Sequence, residues 1–274
     1  MCSRGLIMSQ SMKSFDCHMT GNGLFSLLLA LLLFGGCVKE NREECPCRLL
    51  VDLSEVDSLK IPVVDISVAG ANEFLFSSHK PVGESNEEMI LVPRGRAFLN
   101  VCYGDEGMTR KEGLYIPVGD ECPPVYMYSA LVDTDSEFVR ETVELRKNHC
   151  VITLCIEGER DDFPFDLTLR GNVCGYDTAG VPLSGNFMYR PKPDENMQFM
   201  AVLPRQNDSS LLLDIVDGEE IVRTFAIGEY IRASGYDWTE ADLKDVTVGI
   251  DYSRTRVSIV VKGWDEVYEF DVVI

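Results

Sequence analysis

Apolar residues follow two patterns along this chain. Over residues 24–34 they run almost without interruption, with Ser26 the one polar member, and Gly35, Gly36 and Cys37 follow. From Arg48 onward they alternate with polar residues, the period of a strand with one buried face. In 48–54, Leu49, Val51 and Leu53 share a face. The alternation continues through 62–69, 73–77, 89–92 and, after a turn at Pro93, Arg94 and Gly95, through 97–103. Segments 114–117 and 125–132 complete a first strand group, whose short strands and Gly, Pro and Asp turns suggest an antiparallel sandwich.

Residues 133–139 read as a link to a second group. There, 141–147 and 149–157 are expected to form a hairpin about Asn148, with Cys150, Ile152, Leu154 and Ile156 on the buried face. Strands follow at 165–173, 196–203, 210–216 and 220–224, the last two joined by Asp217-Gly218, a strong hairpin signal. Helical spacing is scarce. It occurs at Ile227, Tyr230 and Ile231 before a stop at Gly235, and as a capping-box-like Thr239-x-x-Asp242. Strands return at 245–252 and 257–262. After Gly263 the last strand places Tyr268, Phe270, Val272 and Ile274 on one face and Val267, Glu269, Asp271 and Val273 on the other. It either completes its own sandwich or is available to another chain.

The apolar run is too short to cross a bilayer with ordinary flanks and suits the core of a secretory signal. Two small residues before a cysteine give a peptidase access and leave a thiol for acylation. The stretch resembles the bacterial lipobox, with Phe34 where that pattern more often has Leu. Cys37 is therefore expected as the lipidated first residue of a mature chain, after a signal peptide over 1–36. An uncleaved anchor or a buried N-terminal helix is the plainer alternative. Residues 38–44 (VKENREE) have no apolar period, so 37–47 is read as a lipidated tether. Their acidic cluster resembles the surface-export signal of lipoproteins in the Bacteroides group, which implies an outward-facing protein.

Charge narrows the function. Of 25 basic and 45 acidic residues, the signal holds Arg4, Lys13 and Asp16, so the mature balance is 23 minus 44, or −21. So acidic a surface repels nucleic acid and anionic headgroups. Membrane contact would come from acyl chains, at about 0.8 kcal/mol per buried methylene. Beyond Cys37 and the two signal cysteines, seven of the ten cysteines remain, an odd number in a compartment that permits disulfides. Buried apolar thiols are the expectation for most of them. Cys45-Pro46-Cys47 is too closely spaced for the usual zinc pair. Alternate carboxylates at Asp133, Asp135 and Glu137 could face a calcium ion, although a solvated linker explains them as well.

Catalytic motifs are lacking. His149 adjoins Cys150, but neighbours on a strand point to opposite faces. Phosphate-binding glycine loops, Gly-x-Ser-x-Gly and His-Glu-x-x-His do not occur. Paired carboxylates for glycoside hydrolysis are no more than the net charge predicts. No enzyme activity and no cofactor are expected.

The lipid cysteine, the nearby Cys45-Pro46, Leu49-Leu50-Val51-Asp52, Arg170-Gly171-Asn172 and residues 180–185 (GVPLSG) occur in order along the chain. So do Gly249-Ile250-Asp251-Tyr252 and residues 257–264 (VSIVVKGW). Together they resemble the fimbrial anchor lipoproteins of the Bacteroides group, minor subunits related to fimbrillin. The likeness covers nearly all of the mature chain but departs at 104–113, where related chains carry an aromatic-rich strand end. It implies an all-β protein of two transthyretin-like antiparallel β-sandwich domains, here divided as 48–135 and 136–274, following the signal peptide. It also implies an outer-membrane role in a fimbrium, with a shaft subunit as partner.

A sandwich short of one edge strand exposes unpaired backbone groups that a partner's strand can satisfy. Tyr268, Phe270, Val272 and Ile274 are the residues expected to engage the shaft subunit, since a one-residue slip would turn Glu269 and Asp271 inward. The alternative is a surface lipoprotein that binds glycans, for which Trp238 and Trp264 are the only tryptophans.

Overall fold

The computed structural model describes residues 45–71, 73–110, 113–157, 164–251, 256–263 and 266–271. The apolar run, Cys37, Trp264, Val272 and Ile274 lie outside them. Strands β1 (Cys47–Asp52), β2 (Val63–Ala69), β3 (Phe74–Pro81), β4 (Glu87–Val92) and β5 (Arg96–Tyr103) come first, then the short β6 (Thr109–Arg110) and β7 (Gly113–Tyr115). β8 (Tyr126–Asp133), β9 (Phe138–Thr142) and β10 (Arg146–Lys147) precede β11 (His149–Glu157), β12 (Asp166–Asp177), β13 (Pro182–Tyr189) and β14 (Gln198–Pro204). β15 (Leu212–Asp217), β16 (Glu220–Phe225), the helix α1 (Ile227–Ala233), β17 (Val246–Asp251), β18 (Arg256–Val261) and β19 (Val267–Asp271) follow.

The chain is all-β, arranged as two sandwiches. In the first, sheet β4-β1-β9 faces sheet β10-β8-β5-β2-β3. Leu49 and Val51 from one sheet and Val64, Ile66, Val68, Leu99 and Val101 from the other form its core. β-Branched residues recur at every second position of β2 and suit a half-buried pleat. In the second, sheet β14-β11-β17-β18-β19 faces β16-β15-β12-β7-β6, and β13 also pairs with β12. Ile152, Leu154, Leu167, Leu169, Leu213, Val248 and Ile259 belong to that core.

Two findings depart from the antiparallel expectation. β9 pairs parallel with β1, and β17 pairs parallel with β11, so both sandwiches contain a mixed sheet. Parallel neighbours need a long crossover, and here nearly the whole first sandwich intervenes between β1 and β9. Segments 141–147 and 149–157 form no hairpin. β10 pairs with β8, while β11 pairs with β14 and β17. Asn148 is drawn into other bonds: its N–H donates to the Val125 carbonyl at 2.9 Å. The pairing also cuts across the expected 135/136 division, because β9 joins β1 from beyond it, and β6 and β7 join the sheet of β12 from before it. β13 carries an alternation that sequence reading passed over. The helix at Ile227–Ala233 forms as expected, whereas Thr239 lies in a turn where Asp237 Oδ1 accepts from its N–H at 2.8 Å.

β9 is held at the end of β1 by a buried carboxylate. Arg140 donates from Nε and Nη2 to Asp52 Oδ2 at 3.0 and 2.7 Å, and the Ser54 N–H donates to Oδ1 at 3.0 Å. The Arg140 hydrogen bonds lead the causes that lower the Asp52 pKa to about 2. A carboxyl whose folded value lies below its unfolded one stabilises the fold above the unfolded value, and that contribution fades as pH falls toward the folded value. Asp52→Asn should therefore be less stable than wild type at pH 7, and the gap in urea midpoint should close between roughly pH 4 and pH 2. A gap independent of pH would show that ionisation of Asp52 contributes nothing.

All seven described cysteines are free thiols. Cys47, Cys102, Cys122 and Cys150 are buried, and burial pushes the Cys102 and Cys150 thiols up to about 12. The folded chain treated with iodoacetamide at pH 8 should be alkylated at exposed Cys45, while these four react only after denaturation. Mass spectrometry of the labelled peptides reads the outcome.

Candidate functional site at the junction of the sandwiches

The two sandwiches meet over an apolar cluster of Cys102, Leu114, Val125, Met127 and Tyr176. Cys102 comes from β5 and Met127 from β8, whereas Leu114 and Tyr176 come from β7 and β12 of the second sandwich. Close backbone approach of β7 and β12 brings Leu114 and Tyr176 to this cluster side by side. A Cβ at Gly175 would lie 2.0 Å from the Leu114 carbonyl oxygen, and one at Gly113 would lie 2.5 Å from that of Tyr176, so only glycine fits either position.

Arg205 locks the junction from behind. It is buried, and burial lowers its pKa. Its Nε donates to Asn148 Oδ1 at 3.1 Å, its Nη2 to the Lys147 carbonyl at 2.7 Å, and its Nη1 to the Trp238 carbonyl. The Tyr176 hydroxyl donates to the Asn148 carbonyl and accepts from the Arg205 N–H at 3.0 Å.

Above the apolar floor opens a cleft of about 720 Å³. One wall is the outer face of the sheet of β2, β3, β5 and β8, where cross-strand register sets polar residues in rows. Ser77 lies opposite Ser67, Ser67 opposite Asn100, and Asn100 opposite Ser129. A second row runs His79, Asp65, Cys102 and Met127. Phe74, beside Ala69 at the edge, is 66% exposed, so its ring is available to whatever enters. The facing wall comes from Arg110, Gly113, Leu114, Asp177 and Thr178.

Most charges in the cleft are mutually engaged; Asp177 instead accepts the Ala179 and Val181 N–H groups at 2.8 Å. His79 Nδ1 donates to Asp65 Oδ1 at 2.8 Å, and Arg110 Nη2 reaches Asp65 Oδ2 at 3.4 Å and pairs also with Asp105. Burial raises the Asp105 carboxyl pKa against the pull of Arg110. The polar row is less engaged. Ser129 Oγ lies 2.6 Å from Asn100 Oδ1 and 2.9 Å from the Thr178 carbonyl, whereas Ser67 and Ser77 make no side-chain hydrogen bond among the described residues.

The residues singled out from the sequence fall elsewhere. β19 closes one side of its sheet and pairs with β18, placing Phe270 opposite Val257 and Tyr268 opposite Ile259. Both aromatics pack against the second core, with the Phe270 ring 5.3 Å from that of Tyr230 on α1. Val267, Glu269 and Asp271 are exposed, and among the described residues nothing pairs with the strand's second edge. Cys37, Val272 and Ile274 lie outside the described residues.

His149 is buried and its pKa falls to about 4, chiefly through burial, while its Nδ1 donates to the Val125 carbonyl at 3.1 Å. Cys150 turns the other way into the second core, so the two make no nucleophile and base pair. Asp133 Oδ1 accepts from the Asp135 N–H at 3.0 Å. Among the described residues no three His, Cys, Asp or Glu side chains converge as a metal site would need. Trp238 stacks edge-on against Tyr236 at 4.8 Å. The cleft was missed because its residues come from seven strands and one turn; the one local signal was polar alternation at Asp65 and Ser67, Ser77 and His79, and Asn100 and Cys102.

Comparison with known proteins identifies the lineage. A structure of a candidate polysaccharide-binding protein from Bacteroides thetaiotaomicron superposes with a TM-score of 0.62 at 14% identity, covering 82% of this chain and 98% of that one. The fimbrial anchor protein Mfa2 of Porphyromonas gingivalis gives a TM-score of 0.57 at 10% identity, covering 80% and 98%. A candidate adhesin from Bacteroides ovatus gives 0.57 at 15%, covering 82% and 95%. At such identities these likenesses establish a shared fold. Comparison with curated protein sequences finds no match. The profile of the fimbrillin-A associated anchor proteins Mfa1 and Mfa2 matches residues 104–270, more than half of the chain and the whole described second sandwich from β6 to the end of Phe270. The chain therefore belongs to the family of fimbrillin-A associated anchor proteins.

Proposed function

We propose that the mature chain is a non-catalytic lipoprotein, acylated on Cys37, that anchors or terminates a fimbrium at the outer membrane and faces outward from the cell. One observation carries this reading: the family match spans the second sandwich and runs into β19, the last strand of its sheet. A shaft subunit's strand laid along β19 would continue the sheet, and alternate side chains would set the register. Tyr268 and Phe270 then act as resident supports that hold β19 on the core, and partner contact falls to the backbone edge. The tether supports an anchoring role because seven residues separate Cys37 from Cys45, a reach of roughly 28 Å over eight Cα-to-Cα steps, so the first sandwich would stay close to the membrane. Several acyl chains on one cysteine bind a bilayer for far longer than a single chain does.

A second reading, a surface lipoprotein that binds glycans, is favoured by the polar cleft and by the description of the B. thetaiotaomicron relative.

Replacing Cys37 by Ala in the native host separates the two. The anchor reading expects loss of acyl labelling together with shedding of fimbriae into the medium. Fimbriae that stay attached, or cells that make none, would contradict the anchor role while leaving acylation at Cys37 intact as a finding.

A further inference from the structure

We propose that the cleft between the two sandwiches binds a short, uncharged oligosaccharide, with Ser67, Ser77 and Asn100 as hydrogen-bonding groups and Phe74 as the stacking face. This rests on the second reading above, and it assigns that reading a site and a ligand class.

The chemistry of the walls selects the ligand. Ser67, Ser77 and Asn100 stand side by side on three adjacent strands. At about 4.8 Å between strands their row spans about 10 Å, the length of a disaccharide. Each hydroxyl both donates and accepts, and two of the three side chains make no bond of their own. Ser129 Oγ lies within hydrogen-bond distance of both Asn100 Oδ1 and the Thr178 carbonyl across the cleft, and its one proton serves either, which leaves the Asn100 Nδ2 group as a donor without a bond to Ser129. An apolar ligand would strip water from these groups and return nothing, at a penalty for each. A sugar supplies hydroxyls that match them.

Charge disfavours an anion. Asp65, His79, Arg110 and Asp105 form one connected cluster, so an anion finds no unspent cation, and the carboxylate of Asp177 accepts the Ala179 and Val181 N–H groups at 2.8 Å. The overall balance of −20 further disfavours an anion. The aromatic component comes from Phe74. It stands at the mouth opposite Ala69, whose small side chain leaves the ring uncovered for the C–H face of a pyranose. Below, Leu114 and Met127 give an apolar floor, and the volume lies within the ordinary range for small-ligand sites.

Mannobiose, cellobiose, N-acetyllactosamine and maltotriose, with sialyllactose as an anionic control, would be titrated against the full mature chain by saturation-transfer NMR and calorimetry. We expect at least one neutral probe to bind and sialyllactose to bind no better than the neutral probes. Asn100→Ala and Ser77→Ala should each weaken that binding about three-fold to ten-fold, as the loss of one hydrogen bond would. Phe74→Ala should weaken it at least as much. Ser77 and Phe74 are exposed, so these variants should keep the wild-type melting temperature. The control Ile221→Ala, on β16, should bind as wild type. If a probe binds and the cleft variants leave its affinity unchanged, the site is overturned while glycan binding stands. If no neutral probe binds at ~10 mM, weaker than any ordinary recognition site, both are overturned.

Discussion

A buried guanidinium holds the two halves of this molecule in register. Arg205 reaches the carbonyls of Lys147 and Trp238 and the amide of Asn148, while its backbone N–H meets the Tyr176 hydroxyl. Lys147 belongs to β10, which closes one side of the first sandwich. Tyr176 and Arg205 lie on or just beyond strands of the second. A cation out of water is costly unless its donors are filled, and here each partner is a backbone or amide oxygen that would itself be stranded without the arginine. That mutual need explains why Asn148 sits as a pivot and not as the tip of a hairpin. It also fixes the separation of the cleft walls, because Cys102, Met127, Leu114 and Tyr176 meet directly below them.

The same topology determines what remains open. The parallel crossovers to β9 and β17 place each late strand beside an early one and bury both central strands. The cost falls on the edges. β3 ends in Lys80 and Pro81, which discourage pairing with a stray strand, whereas β19 presents Glu269 and Asp271 on its outward face. Its inward aromatics are fixed by Tyr230 and the second core, so the strand is a formed element at the end of its sheet. A formed edge is pre-organised for strand addition, and little conformational entropy is lost when a partner docks.

Much of this was legible in the sequence because the pleat has period two. The cores around Leu49, Ile66, Ile152 and Ile259 follow from alternation alone, as does the phase of Tyr268 and Phe270, while the helical turn at Ile227 follows from the spacing of Ile227, Tyr230 and Ile231. What alternation cannot convey is which strand lies beside which. Read from sequence, residues 138–142 fall partly to a link over 133–139 and partly to a hairpin strand over 141–147, because five residues with an exposed Phe138 carry little periodic signal, yet they form a parallel neighbour of β1. Residues 114–117 read as part of the first group because they adjoin it in sequence; the glycine pair Gly113 and Gly175, decisive for their true partner, is visible only once the backbones are brought together. The cleft was hidden for the same reason. Ser67, Asn100 and Ser77 look like solvated outward positions until the register sets them in one row beneath a second domain.

A photo-cross-linking amino acid at Glu269, exposed on β19, tests the strand-edge account of fimbrial attachment most directly. Irradiating intact cells should trap the fimbrial shaft subunit on this chain in the membrane fraction, while the same probe at Ile221 on β16 should not. Fully assembled, attached fimbriae with no adduct at position 269, or with equal adducts at both positions, would contradict the account.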